Sequence, residues 1–147
     1  MCTLRAAGRD LDVDAFLATS SIKPCAVHHV GDLKFSTKPD GPRIAKSSFN
    51  ADVSSKDWAD LAGQIDDAKA FLRTFDGELR RLAASPGFEG MDIDFPINLR
   101  IGTNNTVVQT GRFPADLLVL AGALGIDVAF TIYPPAADDG DPSEGTV

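Results

Sequence analysis

Residues 57–84, DWADLAGQIDDAKAFLRTFDGELRRLAA, carry the strongest periodic signal in this chain. Apolar residues recur there at alternating steps of three and four, at Trp58, Leu61, Ile65, Ala68, Leu72, Phe75, Leu79 and Leu82. This spacing predicts one helix over the whole stretch, with a single buried face. Ser54 and Asp57 have the form of a capping box at its start, and Ser85-Pro86-Gly87 ends it.

The length of this predicted helix limits how it packs. A helix over 57–84 is about 42 Å long, so it must overhang the sheet, kink near Gly77, or contact a partner. Two arrangements are compatible with the apolar stripe. The helix lies across a sheet of its own domain, which we expect as the main contact, or it also mediates self-association with a second subunit as in a coiled coil.

The length of the chain indicates one domain, and much of its net negative charge lies at the C-terminal end. The chain has 147 residues and a formal net charge of -7. Four of the acidic residues lie in the Pro/Gly/Ala-rich segment 135–147. We therefore expect a single α+β domain over 1–134 and a flexible acidic tail over 135–147. The remaining surface is not basic, which argues against a nucleic-acid partner.

Cysteine and hydropathy patterns bear on the compartment. No segment has the pattern of a signal-peptide core or of a membrane span, so we expect a cytoplasmic protein with no membrane partner. Disulfides are rare there, and we expect none between Cys2 and Cys25. Cys25, His28 and His29 are zinc-binding residue types, but neighbouring strand residues point to opposite faces. We expect neither a metal nor a cofactor.

Alternation of apolar and polar residues predicts strands at residues 2–8, 49–53, 91–101 and 126–132, and we expect two further strands at 25–30 and 107–110. Two shorter helices follow Asp12 and Pro114, and Gly125 caps the second of them. Residues 32–47 contain repeated turn chemistry and no regular element. Asn104-Asn105 turns the chain into 107–110 as a hairpin.

The resulting order, β-α-β-β-α-β-β-α-β, predicts an α+β two-layer sandwich. Clean alternation over 91–101 indicates one face on the core and one in water, so we expect a mostly antiparallel sheet with helices on one face. The first six elements match the ferredoxin-like β-α-β-β-α-β core, followed by a C-terminal β-α-β extension. Pro96 lacks an N–H, so we expect strand 91–101 at an edge or irregular on one side.

Several short segments are similar to a known family. They are Cys2-Thr3-Leu4, Gly31-Asp32, Phe113-Pro114-Ala115-Asp116-Leu117-Leu118, Leu124-Gly125 and Ile132-Tyr133-Pro134, together with the long helix. Over about residues 1–134 the chain resembles the bacterial domain of unknown function family 4279. That family has no established activity, so the resemblance implies no catalytic residue.

The open face of the predicted sheet is the first candidate binding surface. Alternation places on it Thr3, Arg5, Asp92, Asp94, Asn98, Arg100, Thr131 and Tyr133. A mixed-charge surface with one aromatic residue is typical of a protein contact, and the acidic stretch 48–94 suits a basic partner. We therefore expect a non-enzymatic protein-binding module, of the immunity or accessory type, without catalytic residues.

The alternative is a small ligand-binding or anion-binding domain, or an enzyme. Gln109 and Arg112 precede the last helix, where a carboxylate or phosphate binds favourably. A second candidate anion site is the 32–47 loop, with its basic residues Lys34, Lys38, Arg43 and Lys46. The sequence contains none of the common nucleotide-binding, serine-hydrolase or zinc-protease motifs.

Overall fold

A computed structural model describes residues 1–134 of the chain, and the tail predicted over 135–147 lies outside the described residues. The elements in chain order are β1 Cys2–Gly8, α1 Val13–Ala18, β2 Ala26–His28, β3 Ser47–Ser54, α2 Leu61–Thr74, α3 Asp76–Ala83, β4 Gly90–Asn98, α4 Ala115–Ala123 and β5 Ile126–Tyr133. The strands form one sheet in the order β2-β3-β1-β4-β5. Within the described residues, no helix combines the length and apolar composition needed to cross a membrane.

The sheet is mixed, with one parallel pair. β2–β3, β3–β1 and β1–β4 are antiparallel, and β4–β5 is parallel. Apolar residues on one sheet face are buried against the helices; for example, the rings of Phe16 in α1 and Phe49 in β3 stack at 5.7 Å. These features confirm the α+β class, the mostly antiparallel sheet and the helices on one face. The ferredoxin-like assignment stays a prediction.

The prediction of one continuous helix over 57–84 is wrong. The stretch forms α2 and α3, joined at Phe75 with φ -103° and ψ 16°. No strand within residues 1–134 is longer than nine residues, so a straight helix over the whole stretch would overhang the sheet. The break lies two residues before Gly77. Most of the apolar stripe is buried in the domain's own core, at Ile65, Ala68, Leu72, Leu79 and Leu82, and so is not free to form a coiled coil.

The predicted cap of this helix is also misplaced. Asp60, and not the Ser54/Asp57 pair, caps α2, because its side chain accepts a hydrogen bond from the N–H of Gly63 at 2.9 Å. The Ser54 hydroxyl instead donates to Oδ2 of Asp67 at 2.6 Å. Ser54 therefore links the end of β3 to α2 through Asp67.

Pro96 does not mark an edge strand, since β4 lies between β1 and β5. The other prediction for this strand holds, because one of its sides is irregular. Pairing of β4 with β1 stops at Asp94, so Pro96 has no opposite residue on that side. The buried amide of Gln64 donates to the carbonyl oxygen of Pro96 at 3.3 Å and takes the place of a neighbouring strand.

The hairpin strand predicted at 107–110 is absent, and β4 ends at Asn98 rather than at residue 101. The turn itself is present, because Asn104 and Asn105 have φ values of 47° and 60°. A strand continues only while a neighbour pairs with it, and β5 ends at Tyr133, opposite Asn98. The C-terminal extension therefore consists of α4 and β5, with residues 99–114 as a connecting loop.

Candidate functional site

An apolar cleft of about 290 Å³ lies where β4 and β5 end. Its apolar walls are formed by Trp58, Leu61, Ile97, Ile101, Phe113, Phe130 and Ile132. Phe130 and Ile132 belong to the helix-facing side of β5, yet they are 57% and 52% exposed. The cleft exists because α2 begins only at Leu61 and leaves this end of the sheet uncovered.

Aromatic rings support the cleft from the core outward. The ring of Phe113 lies 5.1 Å from that of the buried Phe95 and 6.4 Å from that of Phe130. At the mouth, Trp58 stacks on Tyr133 with their centroids 4.6 Å apart. Contacts between paired aromatic rings contribute stabilisation beyond that expected from their buried area alone. The walls are therefore largely pre-formed.

Gln109 is a positioning residue at the rim of the cleft. Its Oε1 accepts from the backbone N–H of Arg100 at 2.8 Å, and its Nε2 donates to the carbonyl oxygen of Asn98 at 2.7 Å. One side chain thus makes the two backbone contacts that the predicted hairpin strand would have made. Gln109 closes the 99–114 loop, and both atoms of its amide are already engaged.

Among the cleft-lining residues in 1–134, Arg100 alone is charged. Among residues 1–134, no carboxylate lies within ion-pair distance of its guanidinium. Arg112 does not join it, because Arg112 lines a separate shallow groove together with Lys69 and Pro114. The structure therefore brings Asn98, Arg100 and Gln109 together and separates Arg112 from them.

On the open sheet face, Arg5 and Asp94 form a defined contact. Arg5 donates to Oδ2 of Asp94 at 3.3 Å, and the hydroxyl of Thr131 donates to Oδ1 at 2.7 Å. The Asp94 side chain is only 10% exposed. Both of its oxygens are engaged, so Asp94 ties β1, β4 and β5 together across this face.

The open face is more acidic than the sequence indicated. Strand register places Asp92 between Arg5 and Asp127, and Thr3 lies opposite Asp52. Burial raises the pKa of Asp92; Arg5 opposes this shift, and Asp94 and Asp127 reinforce it. A raised carboxyl pKa in the folded state means that the stability contribution of Asp92 is lost as the pH rises through that value.

The basic loop does not form a single anion site. Lys46 pairs with Glu89 at 3.2 Å, and the guanidinium of Arg43 donates to the carbonyl oxygen of Gly31 at 3.2 Å. Lys34 and Lys38 lie beside the ring of Phe35. Lys34 and Lys38 share the Phe35 ring, whereas Lys46 and Arg43 have partners of their own, so the four cations do not form one anion site.

The cysteines and histidines also lie apart. β3 separates Cys2 in β1 from Cys25 next to β2, and burial raises the pKa of the Cys2 thiol to about 12. His29 contacts Asp14 of α1 at 2.8 Å, a hydrogen bond that raises its pKa. Within residues 1–134, no group of three or more candidate metal ligands comes together.

Sequence reasoning named the rim of the cleft but missed its walls. Trp58, Phe130 and Ile132 were assigned to the apolar stripe and to strand alternation, both of which predict burial. Asp52 and Asp127 were missed on the open face, although each alternates with apolar neighbours. That alternation is a signal from which the two acidic residues could have been found.

Comparisons of this chain with models of known protein families, with curated proteins and with solved structures each find no match. The resemblance to domain of unknown function family 4279 stays a prediction.

Proposed function

We propose that this protein is a ligand-binding module whose cleft holds a small molecule with an apolar body and one anionic group. The observation that carries the proposal is the pairing of an aromatic-walled cleft with Arg100, which has no carboxylate partner among residues 1–134. Ligand sites are mostly apolar clefts in which a few polar groups fix orientation. A volume of about 290 Å³ suits a compact ligand.

Arg100 supplies the polar recognition. Its planar guanidinium matches a carboxylate or sulfonate, and hydrogen bonds between charged groups are the strong ones. Gln109 fixes the backbone of Arg100 through the 2.8 Å hydrogen bond to its N–H. The loop therefore holds the backbone of the arginine in a defined position, and within residues 1–134 its guanidinium is not engaged in an ion pair.

The composition of the cleft favours binding over catalysis. Its polar side chains in the described residues are Asn98, Arg100, Gln109 and Thr110. None of these is a carboxylate, an imidazole or a thiol, the groups that most often transfer protons or attack substrates. The proposed activity is therefore recognition without a chemical step.

Trp58 provides a direct test, since it is the single tryptophan of the chain and lines the cleft. We expect the anionic probe 1-anilinonaphthalene-8-sulfonate and its neutral relative N-phenyl-1-naphthylamine both to bind, with energy transfer from Trp58. Arg100→Gln should weaken binding of the anion about tenfold, since a hydrogen bond to a charged group contributes about 1.5–3 kcal/mol. It should leave the neutral probe unchanged.

The matched control for this titration is Arg73→Gln, which removes an exposed arginine at the end of α2. It should alter neither probe, and circular dichroism should be the same for all three proteins. Equal anion binding by wild type and Arg100→Gln would contradict the proposal. So would probe binding without energy transfer from Trp58.

The acidic open face favours a second candidate function, the binding of a basic protein partner. Asp52, Asp92 and Asp127 flank the Arg5–Asp94 contact, so four carboxylates face one arginine. Octalysine is a suitable probe, and its affinity at low salt should fall in the Asp92→Asn, Asp127→Asn double variant. Asp10→Asn, Asp40→Asn is the control with the same charge change. Equal affinities of the two double variants would remove this face from consideration.

The cytoplasm remains our proposed compartment. Cys25 is an exposed free thiol, and Cys2 is a buried one in another strand. Unpaired cysteines of this kind are compatible with a reducing compartment.

A further inference from the structure

The outer edge of β5 has unused hydrogen-bonding groups. Among residues 1–134, β5 is the last strand of the sheet and β4 is its one pairing partner. The N–H of Leu99 donates to the carbonyl oxygen of Tyr133 at 2.9 Å, so the backbone groups of Tyr133 face β4. Backbone groups alternate along a strand, and those of Val128, Phe130 and Ile132 therefore face outward.

Nothing within β5 protects this edge. Its pairing with β4 runs from Ile126 to Tyr133 without a bulge, and the strand contains no proline and no lysine. Proteins usually block a long exposed edge with one of these devices, because such an edge pairs readily with another strand. An unblocked edge of eight residues therefore indicates a natural pairing surface.

An apolar helix face lies above the same edge. Asp116 of α4 contacts Lys69 of α2 at 3.1 Å, and the neighbouring Leu117 is buried against the sheet. Each helical residue turns by about 100°, so Leu118 lies on the side of α4 away from α2, toward the free edge. Leu118 is 47% exposed, and Val119 beside it is more exposed still.

We propose that two copies of this chain associate through antiparallel pairing of their β5 strands about a two-fold axis at Phe130. This register places Phe130 opposite Phe130 and Val128 opposite Ile132, so the outward backbone groups bond to each other. The helix-facing side chains of one β5 strand therefore contact those of the other, and Leu118 of each copy covers the junction between the two strands. A two-fold contact of this kind satisfies both free edges at once.

Charge identifies a second copy as the occupant. The chain carries a net charge of -7, so most surfaces of two copies repel each other. The contact surface is nearly uncharged, because β5 carries only Asp127 and α4 carries only Asp116. Asp116 is paired with Lys69, and the proposed register sets Asp127 opposite Tyr133. Within residues 1–134, repulsion between two copies is therefore low at this edge.

The pairing also completes the cleft. Phe130 and Ile132 are half-exposed cleft walls and lie on the proposed contact. Val128 of the second copy would extend the apolar wall formed by Ile132. The association itself does not depend on a ligand and is tested without one.

Sedimentation velocity of the full chain at increasing micromolar concentrations tests the proposal. Wild type should reach twice the monomer mass of 15.6 kDa. Leu118→Lys and Ile132→Lys should each raise the dissociation constant about a hundredfold or more, since each sets like charges together near the two-fold axis. Val30→Lys is the matched control, because Val30 is 47% exposed, as Leu118 is, but lies in the loop after β2. It should remain dimeric.

Hydrogen exchange locates the contact. The amides of Val128, Phe130 and Ile132 should be protected in wild type and unprotected in Leu118→Lys, while those of Ala129 and Thr131, which face β4, stay protected in both. A wild type that is monomeric at every concentration would overturn the proposal. So would a dimer that tolerates both lysine variants, or one that Val30→Lys dissociates.

Discussion

Phe95→Ala should lower the free energy of unfolding by about 3–5 kcal/mol, the usual cost of removing a buried phenylalanine. The Phe95 side chain is 0% exposed and lies 5.1 Å from the ring of Phe113. Phe95 of β4 pairs with β5, and β1 pairs with β4 as far as Asp94. The backbone therefore cannot collapse into the cavity. Urea denaturation with a fitted midpoint and slope measures the loss.

Phe35→Ala removes the same atoms from the surface and is the control for this experiment. Phe35 is half-exposed in the loop between β2 and β3, beside Lys34 and Lys38. Its removal should change stability by no more than about 0.5 kcal/mol. If both variants lost the same amount, Phe95 would not be the core residue that the structure makes it.

The core was predictable because strand alternation reports directly which side chains share a face. Ile93 and Phe95 in β4, and Leu4 in β1, were assigned to the buried face and are buried. The helix cap at Gly125 was equally predictable, since its φ of 67° favours glycine. These features depend on neighbouring residues in the sequence, so a local pattern is enough to find them.

The break at Phe75 and the missing hairpin strand depend on distant parts of the chain. The length of a helix over 57–84 made a kink near Gly77 one of three expected outcomes, but the periodicity of the stretch does not show which of them occurs; the break at Phe75 corresponds to the kink. Residues 107–110 have a strand-like pattern, but the amide of Gln109 makes the contacts with β4 instead. Local periodicity cannot distinguish a strand from a loop that a single side chain fastens.

Local periodicity could not predict the cleft either. Phe130 and Ile132 follow the alternation of a buried strand, yet they are half-exposed on the edge strand β5, at the end of the sheet that α2 leaves uncovered. Arg100 was placed on the open face, on the expectation that the strand continued to residue 101. Because β4 ends at Asn98, Arg100 lies in a loop and lines the cleft.

Gly8→Ala should lower the free energy of unfolding by about 3 kcal/mol or more, at the upper end of the cost of overpacking. A Cβ atom on Gly8 would overlap the carbonyl oxygen of Gly87 and lie 3.1 Å from Cβ of Leu11. Gly87 cannot withdraw easily, because its φ is +80° and it lies so near the backbone of Asp10 that a Cβ added to Gly87 would overlap that backbone. The N–H of Glu89 donates to the carbonyl oxygen of Ala7 at 3.0 Å and holds the two segments together.

Gly77→Ala makes the same chemical change where the structure has room, and the two variants should shift stability in opposite directions. Gly77 lies in α3, has no neighbouring atom within 4 Å of an added Cβ, and does not have a positive φ. Alanine there should raise the free energy of unfolding by about 0.5–1 kcal/mol through helix propensity and reduced unfolded-state entropy. Parallel urea titrations of both variants measure the difference. A Gly8→Ala protein as stable as wild type would mean that β1 and the segment before β4 do not approach each other as closely as their glycines allow.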